Sequence, residues 1–233
     1  MRYCVVIPAA GSGTRMGSAV PKVMLKPGAS RGDSHHTILQ LTVQTFAADE
    51  RCERIVVCAP SEHVQEFSSH LSGEPRVTVV AGGVTRQRSV LKGVEALEGE
   101  GRLVQGCAVL VHDAARCCVS AEVIARVLEG VAEHGAVTAA IPAVDSLCRV
   151  EGSVIAGYVE RATAWSVQTP QGFDGLELLR AHRAAEEQGV EGLDDAALVA
   201  RLRPVSVVLG HRLNIKVTQP EDLLVAAAAL ESR

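Results

Sequence analysis

Short apolar runs alternate along the chain with amphipathic segments of helix length, and this alternation is the strongest limit on its fold. Each run has the length of a buried strand, and each longer segment repeats apolar residues at helical spacing. Strands that alternate with helices in this way pair mostly in parallel, with helices covering both faces of the sheet. The sequence therefore predicts an α/β fold with a doubly wound, mainly parallel sheet.

The apolar runs predict six strands, at residues 3–7, 54–59, 76–80, 108–112, 136–142 and 205–209. Helices are predicted near residues 37–49, 62–71, 86–97, 121–134 and 175–188. Ser61 and Ser120 occupy helix N-cap positions, and Thr218 with Glu221 has the spacing of a capping box before a last helix. Residues 144–159 predict two short strands around a turn at Glu151–Gly152, a protruding β-arm that would serve either as an arm for a partner chain or as an active-site flap.

The composition suits a buried parallel sheet. Apolar residues make up 47% of the 233 residues but aromatic residues only 3%, so Ala, Val, Leu and Ile must fill the interior. This length supports one large core, and we expect a single domain over residues 1–233. The net charge is −4 and the cations are scattered, which disfavours a nucleic-acid-binding surface.

A reduced, cytoplasmic protein is expected from the cysteines and the chain start. The seven cysteines are odd in number and contain no C-x-x-C pair, and Cys117 and Cys118 are adjacent, a poor geometry for a disulfide. The first strand begins at Tyr3, which leaves no room for a signal peptide, and no apolar stretch approaches membrane-spanning length. No membrane partner is expected.

A glycine-rich turn follows the first strand, with the sequence PAAGSGTRMG and then PK. Ligands bind beyond the carboxyl ends of strands in such sheets, and small residues let backbone N–H groups approach a phosphate. The residues placed in this anion site are Pro8, Ala9, Ala10, Gly11 and Gly13.

The same turn excludes two common nucleotide sites. Met16 stands where the dinucleotide fingerprint requires glycine, and no G-K-[ST] follows, so the turn is not a Walker A loop. Arg15 and Lys22 instead place two cations where a triphosphate attacked at its α-phosphorus gains charge. The alternative is a simple tight turn with solvated cations.

Two further clusters follow strand ends. Gly83, Arg86 and Ser89 could wrap a nucleotide base, although this is also an ordinary strand-to-helix turn. Asp113 is placed as a Mg²⁺ ligand, because Mg²⁺ prefers few carboxylates plus phosphate oxygens, or else as a capping residue paired with Arg116.

The last candidates would bind a second phosphate. Arg161 and Thr169 could hold a phosphorylated substrate, or belong to a turn with a solvated arginine. Lys216 lies between apolar Ile215 and Val217, so alternation turns it to the opposite face, either into the crevice or out to solvent.

Taken together, these motifs resemble the 2-C-methyl-D-erythritol 4-phosphate cytidylyltransferases of non-mevalonate isoprenoid synthesis. The resemblance runs nearly end to end, through PAAGSGTRMG with PK, GG-x-x-R-x-x-S, VHDAAR, TPQ-x-F, L-D-D-A and NIKVTQPEDL. It implies the Rossmann-like fold of nucleotide-diphospho-sugar transferases and a reaction of CTP with methylerythritol 4-phosphate, a polyol phosphate.

The resemblance also implies roles for the candidate residues. The catalytic group is Arg15, Lys22, Arg161 and Lys216. The nucleotide-binding group is Pro8, Ala9, Ala10, Gly11, Gly13, Gly83, Arg86, Ser89, Asp113 and Ala114. The substrate-binding group is Ser146, Arg161, Thr169 and Lys216, and Asp113 would lie beside Mg²⁺ or another divalent cation. Residues 143–162 would form a dimerisation arm that carries Arg161 to the partner's substrate, so a homodimer is expected.

Departures from the family pattern leave rival functions open. Leu193 replaces a threonine common before the acidic pair, Leu213 replaces an acidic residue, and the loop at residues 26–36 is longer than usual. A ribitol 5-phosphate or other polyol-phosphate cytidylyltransferase is the nearest alternative, and a non-catalytic nucleotide-binding module is another. The retained Arg15, Lys22, Asp113 and Lys216 argue against the second, because binding alone requires no cations placed for a transition state.

Overall fold

The computed structural model describes residues 1–11, 21–28 and 36–232. Its strands are β1 (Tyr3–Pro8), β2 (Cys52–Ala59), β3 (Val77–Ala81), β4 (Ala108–Val111), β5 (Ala136–Pro142), β6 (Cys148–Glu151), β7 (Val154–Tyr158), β8 (Trp165–Asp174) and β9 (Ser206–Leu209). Its α-helices are α1 (Ile38–Ala47), α2 (Val64–Leu71), α3 (Arg86–Gly99), α4 (Ala121–His134), α5 (Gly175–Glu187), α6 (Asp195–Val199) and α7 (Pro220–Glu231). Short 3₁₀ turns lie at Lys22–Met24, Ser61–His63 and Arg161–Thr163.

In this part of the chain, seven strands form one sheet in the order β3-β2-β1-β4-β8-β5-β9. The pairs β1–β2, β1–β4, β2–β3 and β5–β9 are parallel, whereas β8 is antiparallel to both β4 and β5. The mainly parallel sheet is confirmed, but the sequence prediction missed β8. That strand contains Pro170 and Gly172, which are weak strand formers, and its ladders to two neighbouring strands hold it in the sheet.

Helices cover both faces of the sheet, as predicted. Alternate residues of β1 point to opposite faces, so Val5 and Ile7 join one core cluster while Cys4 and Val6 join the other. Helices α1, α2 and α4 pack on the first face, and α3, α5 and α6 pack on the second. A third cluster buries α7 against the start of α1 and the segment after β4.

The strand directions decide where the candidate residues meet. Strands β1 to β4 are mutually parallel, so the segments that follow β1, β3 and β4 lie at one edge of the sheet. Strand β8 runs the other way, and Gln171 in its middle is paired with Val111 at the end of β4. The earlier residues of β8, including Thr169, are therefore carried to this same edge.

The predicted β-arm is present as the antiparallel hairpin β6–β7, separate from the main sheet. Its turn includes Gly152, whose φ of +62° lies in the left-handed region that favours glycine. The side chains of the hairpin are mostly exposed, including Val150, Val154, Ile155 and Tyr158.

The predicted helix starts need two corrections. Ser120 is the N-cap of α4 as predicted, but Ser61 lies in a 3₁₀ turn and α2 begins only at Val64. The predicted Thr218–Glu221 capping box is also wrong. Helix α7 begins at Pro220, a residue suited to the first helical position, and Asp222 accepts the N–H groups of Thr218 and Gln219 at 2.7 and 2.8 Å.

Gly93→Ala should destabilise the contact between α3 and the sheet. A Cβ atom at Gly93 would lie 2.5 Å from Cγ1 of Val6 and 2.8 Å from Sγ of Cys58, so the helix must shift. We expect the free energy of unfolding to fall by about 1–3 kcal/mol, the usual cost of overpacking, measured by urea denaturation. Gly99→Ala lies in the same helix, at a position where no described atom is within 4 Å of the added Cβ; as the matched control it should leave stability unchanged or raise it by up to about 1 kcal/mol. Equal stability of Gly93→Ala and the control would contradict this packing argument.

Candidate active site

A cleft of about 450 Å³ opens at the edge of the sheet where β1, β3 and β4 end. Its walls are the residues Pro8, Ala9, Ala10, Gly11, Lys22, Val23, Gly83, Val84, Thr85, Arg86, Ser89, Asp113, Ala114, Ala115, Lys216 and Thr218. The cleft thus collects the predicted nucleotide-binding residues that the structure describes, together with Lys22 and Lys216. Gly13 and Arg15 lie outside the described residues.

Asp113 is the electrostatic centre of the described part of the cleft. Its Oδ1 accepts a hydrogen bond from Nε of Arg86 at 3.0 Å, and its Oδ2 lies 2.9 Å from Nζ of Lys216 and 3.6 Å from Nε of Arg116. Burial raises the pKa of Asp113, but the positive charges of Arg86 and Lys216 outweigh burial and hold the pKa well below its usual range. Asp113 is therefore a carboxylate at neutral pH, shared among cations from three segments.

The glycine turn after β3 is built for close approach. A Cβ atom at Gly82 would lie 2.6 Å from Cβ of Ala10, so glycine lets this turn lie against the turn after β1. Ser89 is buried, and its hydroxyl accepts the N–H of Gly83 at 3.0 Å. Through this hydrogen bond, Ser89 fixes the conformation of the turn that leads into Arg86.

Lys22 ties the loop after β1 to the segment before α7. Its Nζ donates to the carbonyl of Val217 at 3.1 Å, and the N–H of Val217 donates to the carbonyl of Ala115 at 2.9 Å. Lys22 and Lys216 thus reach the cleft from segments that are far apart in sequence but are connected through Val217.

Thr169 lies beneath Asp113 rather than on the cleft wall. It is buried, and its hydroxyl accepts the backbone N–H of Asp113 at 3.0 Å and contacts Nδ1 of His112 at 3.1 Å. His112 is fully buried edge-on against Phe46, and burial lowers the pKa of His112 to about 4, so the imidazole is neutral at physiological pH. A role for Thr169 as a substrate contact stays a prediction; the described geometry makes it a support for Asp113.

Asn214 and Arg116 have roles that no local sequence pattern predicts, apart from the expected pairing of Arg116 with Asp113. Arg116 donates to the carbonyl of Asn214 at 2.8 Å, and the buried Asn214 side chain donates to the carbonyl of Thr169 at 2.7 Å. Both residues stand inside quoted motifs, which was the available signal, but their partners lie in other segments and no local spacing indicates them.

Arg161 and Ser146 are brought together at the base of the β-arm. A guanidinium nitrogen of Arg161 donates to the hydroxyl of Ser146 at 2.8 Å, and both side chains are exposed. Neither residue lines the cleft of its own chain.

Such a cleft, at the carboxyl edge of a doubly wound sheet and lined by glycine turns and cations, is typical of nucleotide-binding α/β enzymes. A family model described as IspD, 2-C-methyl-D-erythritol 4-phosphate cytidylyltransferase, matches residues 3–232. The chain belongs to this family.

Relatives and solved structures agree with this assignment. The 2-C-methyl-D-erythritol 4-phosphate cytidylyltransferase of Bacillus licheniformis is 37% identical, over 100% of this chain and 97% of the relative. The crystal structure of the enzyme of that name from Thermus thermophilus is 34% identical, covers 99% of this chain and 100% of its own, and gives a TM-score of 0.77. The Francisella tularensis structure of the same name is 26% identical, with a TM-score of 0.83 over 98% of this chain and 100% of its own.

Thr169→Val should destabilise the support of Asp113. Valine keeps the shape of threonine but leaves the buried N–H of Asp113 unpaired, which we expect to lower the free energy of unfolding by about 1–3 kcal/mol. Thr169→Ser keeps the hydroxyl and is the control; both variants are compared by urea denaturation. Wild-type stability in Thr169→Val would mean that this N–H finds another partner.

Proposed function

We propose that this chain transfers the cytidylyl group of CTP to 2-C-methyl-D-erythritol 4-phosphate and releases pyrophosphate. Family membership supports the reaction, and one observation in the structure carries it: Asp113, Arg86, Lys22 and Lys216 meet in one cleft beside two glycine turns. Cations placed around a phosphate site suit phosphoryl chemistry, in which positioning and charge neutralisation do most of the work.

The triphosphate would lie along the turn after β1. The backbone from Pro8 to Gly11 lines the cleft, and no atom of the described residues lies within 4 Å of a Cβ built on Gly11. Lys22 reaches the same space. We assign charge stabilisation at the α-phosphorus to Lys22 and Arg15, and triphosphate binding to the backbone from Pro8 through Gly13.

The cytidine would lie against the turn after β3. Gly83 and Arg86 line the cleft there, with Ala114 on the facing wall. Ser89 also borders the cleft, and its hydroxyl already bonds within the turn, so we assign it a shaping role as well as a contact to the nucleoside.

A divalent cation fits this site if it enters with the nucleotide. The described residues hold no group of three or more His, Cys, Asp or Glu side chains suited to a metal, so most ligands must come from phosphate oxygens. A carboxylate offers about four lone-pair sites, and among the described residues only Arg86 and Lys216 lie within hydrogen-bond distance of the Asp113 carboxylate, which leaves about two sites open. Asp113 would therefore hold Mg²⁺ beside the triphosphate, where the ion would supply charge neutralisation.

The acceptor phosphate needs positioning more than deprotonation. A phosphate monoester has a second pKa near ~6, so at neutral pH it is largely a dianionic nucleophile. No general base is needed, and the buried, neutral His112 is assigned no proton transfer. Lys216, on the cleft wall beside Asp113, would hold the incoming phosphate against the triphosphate.

The remaining substrate residues would act across a homodimer. The arm at residues 143–162 exposes Val150, Val154, Ile155 and Tyr158, an apolar surface suited to a second copy of the chain. Arg161 and Ser146 contact each other at its base, outside their own cleft, so we assign them to the partner's acceptor phosphate. Thr169 lies beneath Asp113 of its own cleft, so as a substrate residue it would contact the acceptor phosphate bound in that cleft.

This enzyme would act as a single domain over residues 1–233 in the cytoplasm. All seven cysteines lie among the described residues, and none of them forms a disulfide. Among the described helices, none combines the length and the apolar character that crossing a membrane requires.

Pyrophosphate release should require CTP, Mg²⁺ and methylerythritol 4-phosphate together, and EDTA should abolish it. The reason is that the proposed site needs both its cationic side chains and a metal held by Asp113 to neutralise the triphosphate and the acceptor phosphate. The measurement is a coupled pyrophosphate assay in which methylerythritol 4-phosphate and ribitol 5-phosphate are each crossed with ATP, CTP, GTP and UTP. A preference for ribitol 5-phosphate would overturn the acceptor and favour the alternative suggested by Leu193, whereas release with no acceptor would contradict the transfer itself.

Mixing two inactive variants should restore activity if the sites are shared. In a mixed dimer of Lys216→Ala and Arg161→Ala chains, one site has both wild-type residues and the other has neither. Random mixing makes about half of the dimers mixed, so about a quarter of wild-type turnover is expected after co-expression. Each variant alone is the control, and continued inactivity of co-purified mixed dimers would place Arg161 in the cleft of its own chain.

A further inference from the structure

Arg86 is held by two buried carboxylates, only one of which borders the cleft. Its Nε donates to Asp113 at 3.0 Å, and its Nη1 donates to Oδ2 of Asp195 at 2.8 Å. Asp195 is 1% exposed and is not among the described residues that line the cleft, so its described link to the cleft is the bond to Arg86.

Asp195 also contacts a histidine through the carboxylate oxygen that does not bind Arg86. Nε2 of His182, in α5, lies 3.1 Å from Oδ1 of Asp195, and both side chains are buried. Burial raises the pKa of Asp195, but Arg86 and His182 outweigh it and the pKa is lowered overall, so Asp195 is ionised. An ionised carboxylate only accepts hydrogen bonds, so Nε2 of His182 carries the hydrogen. The Nδ1 atom of His182 is buried with no hydrogen-bond partner among the described residues.

The backbone around Asp195 is fixed by the side-chain amide of Gln171, which lies in β8. The amide of Gln171 donates to the Asp194 carboxylate and accepts the N–H of Ala196, both at 2.9 Å. Asp194 also caps α6 by accepting the N–H of Ala197 at 2.8 Å. Asp195 therefore projects from a rigid support.

The same region is tied to the first turn of α3 by the residue after Arg86. Gln87 donates to the carbonyl of Val190 at 2.9 Å and accepts the N–H of Gly192 at 3.0 Å. Two consecutive residues of α3 thus bind the segment that leads to Asp195, while the turn before them forms the cleft wall.

We propose that Asp195, supported by His182, is a positioning residue that fixes the Arg86 guanidinium against Asp113 in the nucleotide cleft. A long arginine side chain has many rotamers, and two carboxylates from separate elements select one of them. Without Asp195, Arg86 keeps one anchor and the cleft loses its fixed donor geometry. This inference rests on the proposed function, because it assigns Arg86 to nucleotide binding.

The test is a double-mutant cycle on the full-length enzyme, with equilibrium binding of CTP and the KM for CTP as readouts. Asp195→Asn keeps the shape but removes the charge, and should raise the Kd and KM for CTP by about tenfold, the lower end of the effect seen when a residue that orients a metal ligand is lost. In an Arg86→Gln background the same change should have no further effect. Multiplying effects would mean that Asp195 acts on CTP binding independently of Arg86 and would overturn the proposal.

Two further comparisons keep the test decisive if Asp195→Asn folds poorly. His182→Gln retains a donor near the Nε2 position and should bind CTP as wild type does, whereas His182→Leu removes the donor and should weaken binding; equal binding by both would overturn the role of His182. Asp49→Asn is the matched control, since Asp49 is another arginine-paired carboxylate, bonded to Arg51 and Tyr3 away from the cleft. Its KM for CTP should not change.

Failure of the proposed function is recognised separately. If the wild-type enzyme does not bind CTP, or if Arg86→Gln binds it as tightly as wild type, the assignment of the cleft falls. If wild type binds CTP, Arg86→Gln weakens binding and Asp195→Asn does not, only the positioning role is overturned.

Discussion

The structure depends on one ionised carboxylate held among cations at the edge of a sheet. Asp113 can remain charged in a largely buried position because Arg86, Lys216 and Arg116 surround it and Thr169 holds its backbone. Arg116 follows Asp113 in the segment after β4, whereas the other partners come from the start of α3, the middle of β8 and the segment before α7, so the cluster connects all four. A phosphate-bearing ligand of the kind proposed would enter an environment whose charges are already fixed, which is the electrostatic condition for fast phosphoryl chemistry.

The antiparallel strand β8 makes this cluster possible. A parallel strand at that position would turn its other end toward the cleft, and Thr169 would lie far from Asp113. Because β8 is reversed, Thr169 supports Asp113, and Gln171 reaches the start of α6 that carries Asp195. Strand β8 therefore supports both carboxylates that hold Arg86, and the β-arm immediately precedes it in the chain.

Sequence reasoning succeeded where a local period or a whole motif carried the information. The buried run YCVVIP became β1, residues 136–142 became β5 with the predicted bounds, and the arm formed its two strands. It failed where a tertiary contact decided the outcome. Strand β8 contains Pro170 and Gly172 and has no clear alternation of apolar and polar residues. Helix α7 begins later than predicted, because Pro220 occupies its first position and Asp222, rather than Glu221, closes the capping box. Asp195 was visible only as part of an acidic pair, with no spacing to indicate a contact with Arg86.

The sequence by itself determined the fold class, the family and the segments that supply the cleft, because strand and helix periods and linked motifs are properties of neighbouring residues. Only the tertiary structure decided which side chains hold one another. Arg86 and Asp113 are 27 residues apart, and Arg86 and Asp195 are 109 apart. Such pairs form through the order and direction of strands in the sheet, and these follow from how all the elements share one buried interior rather than from any local stretch of the chain.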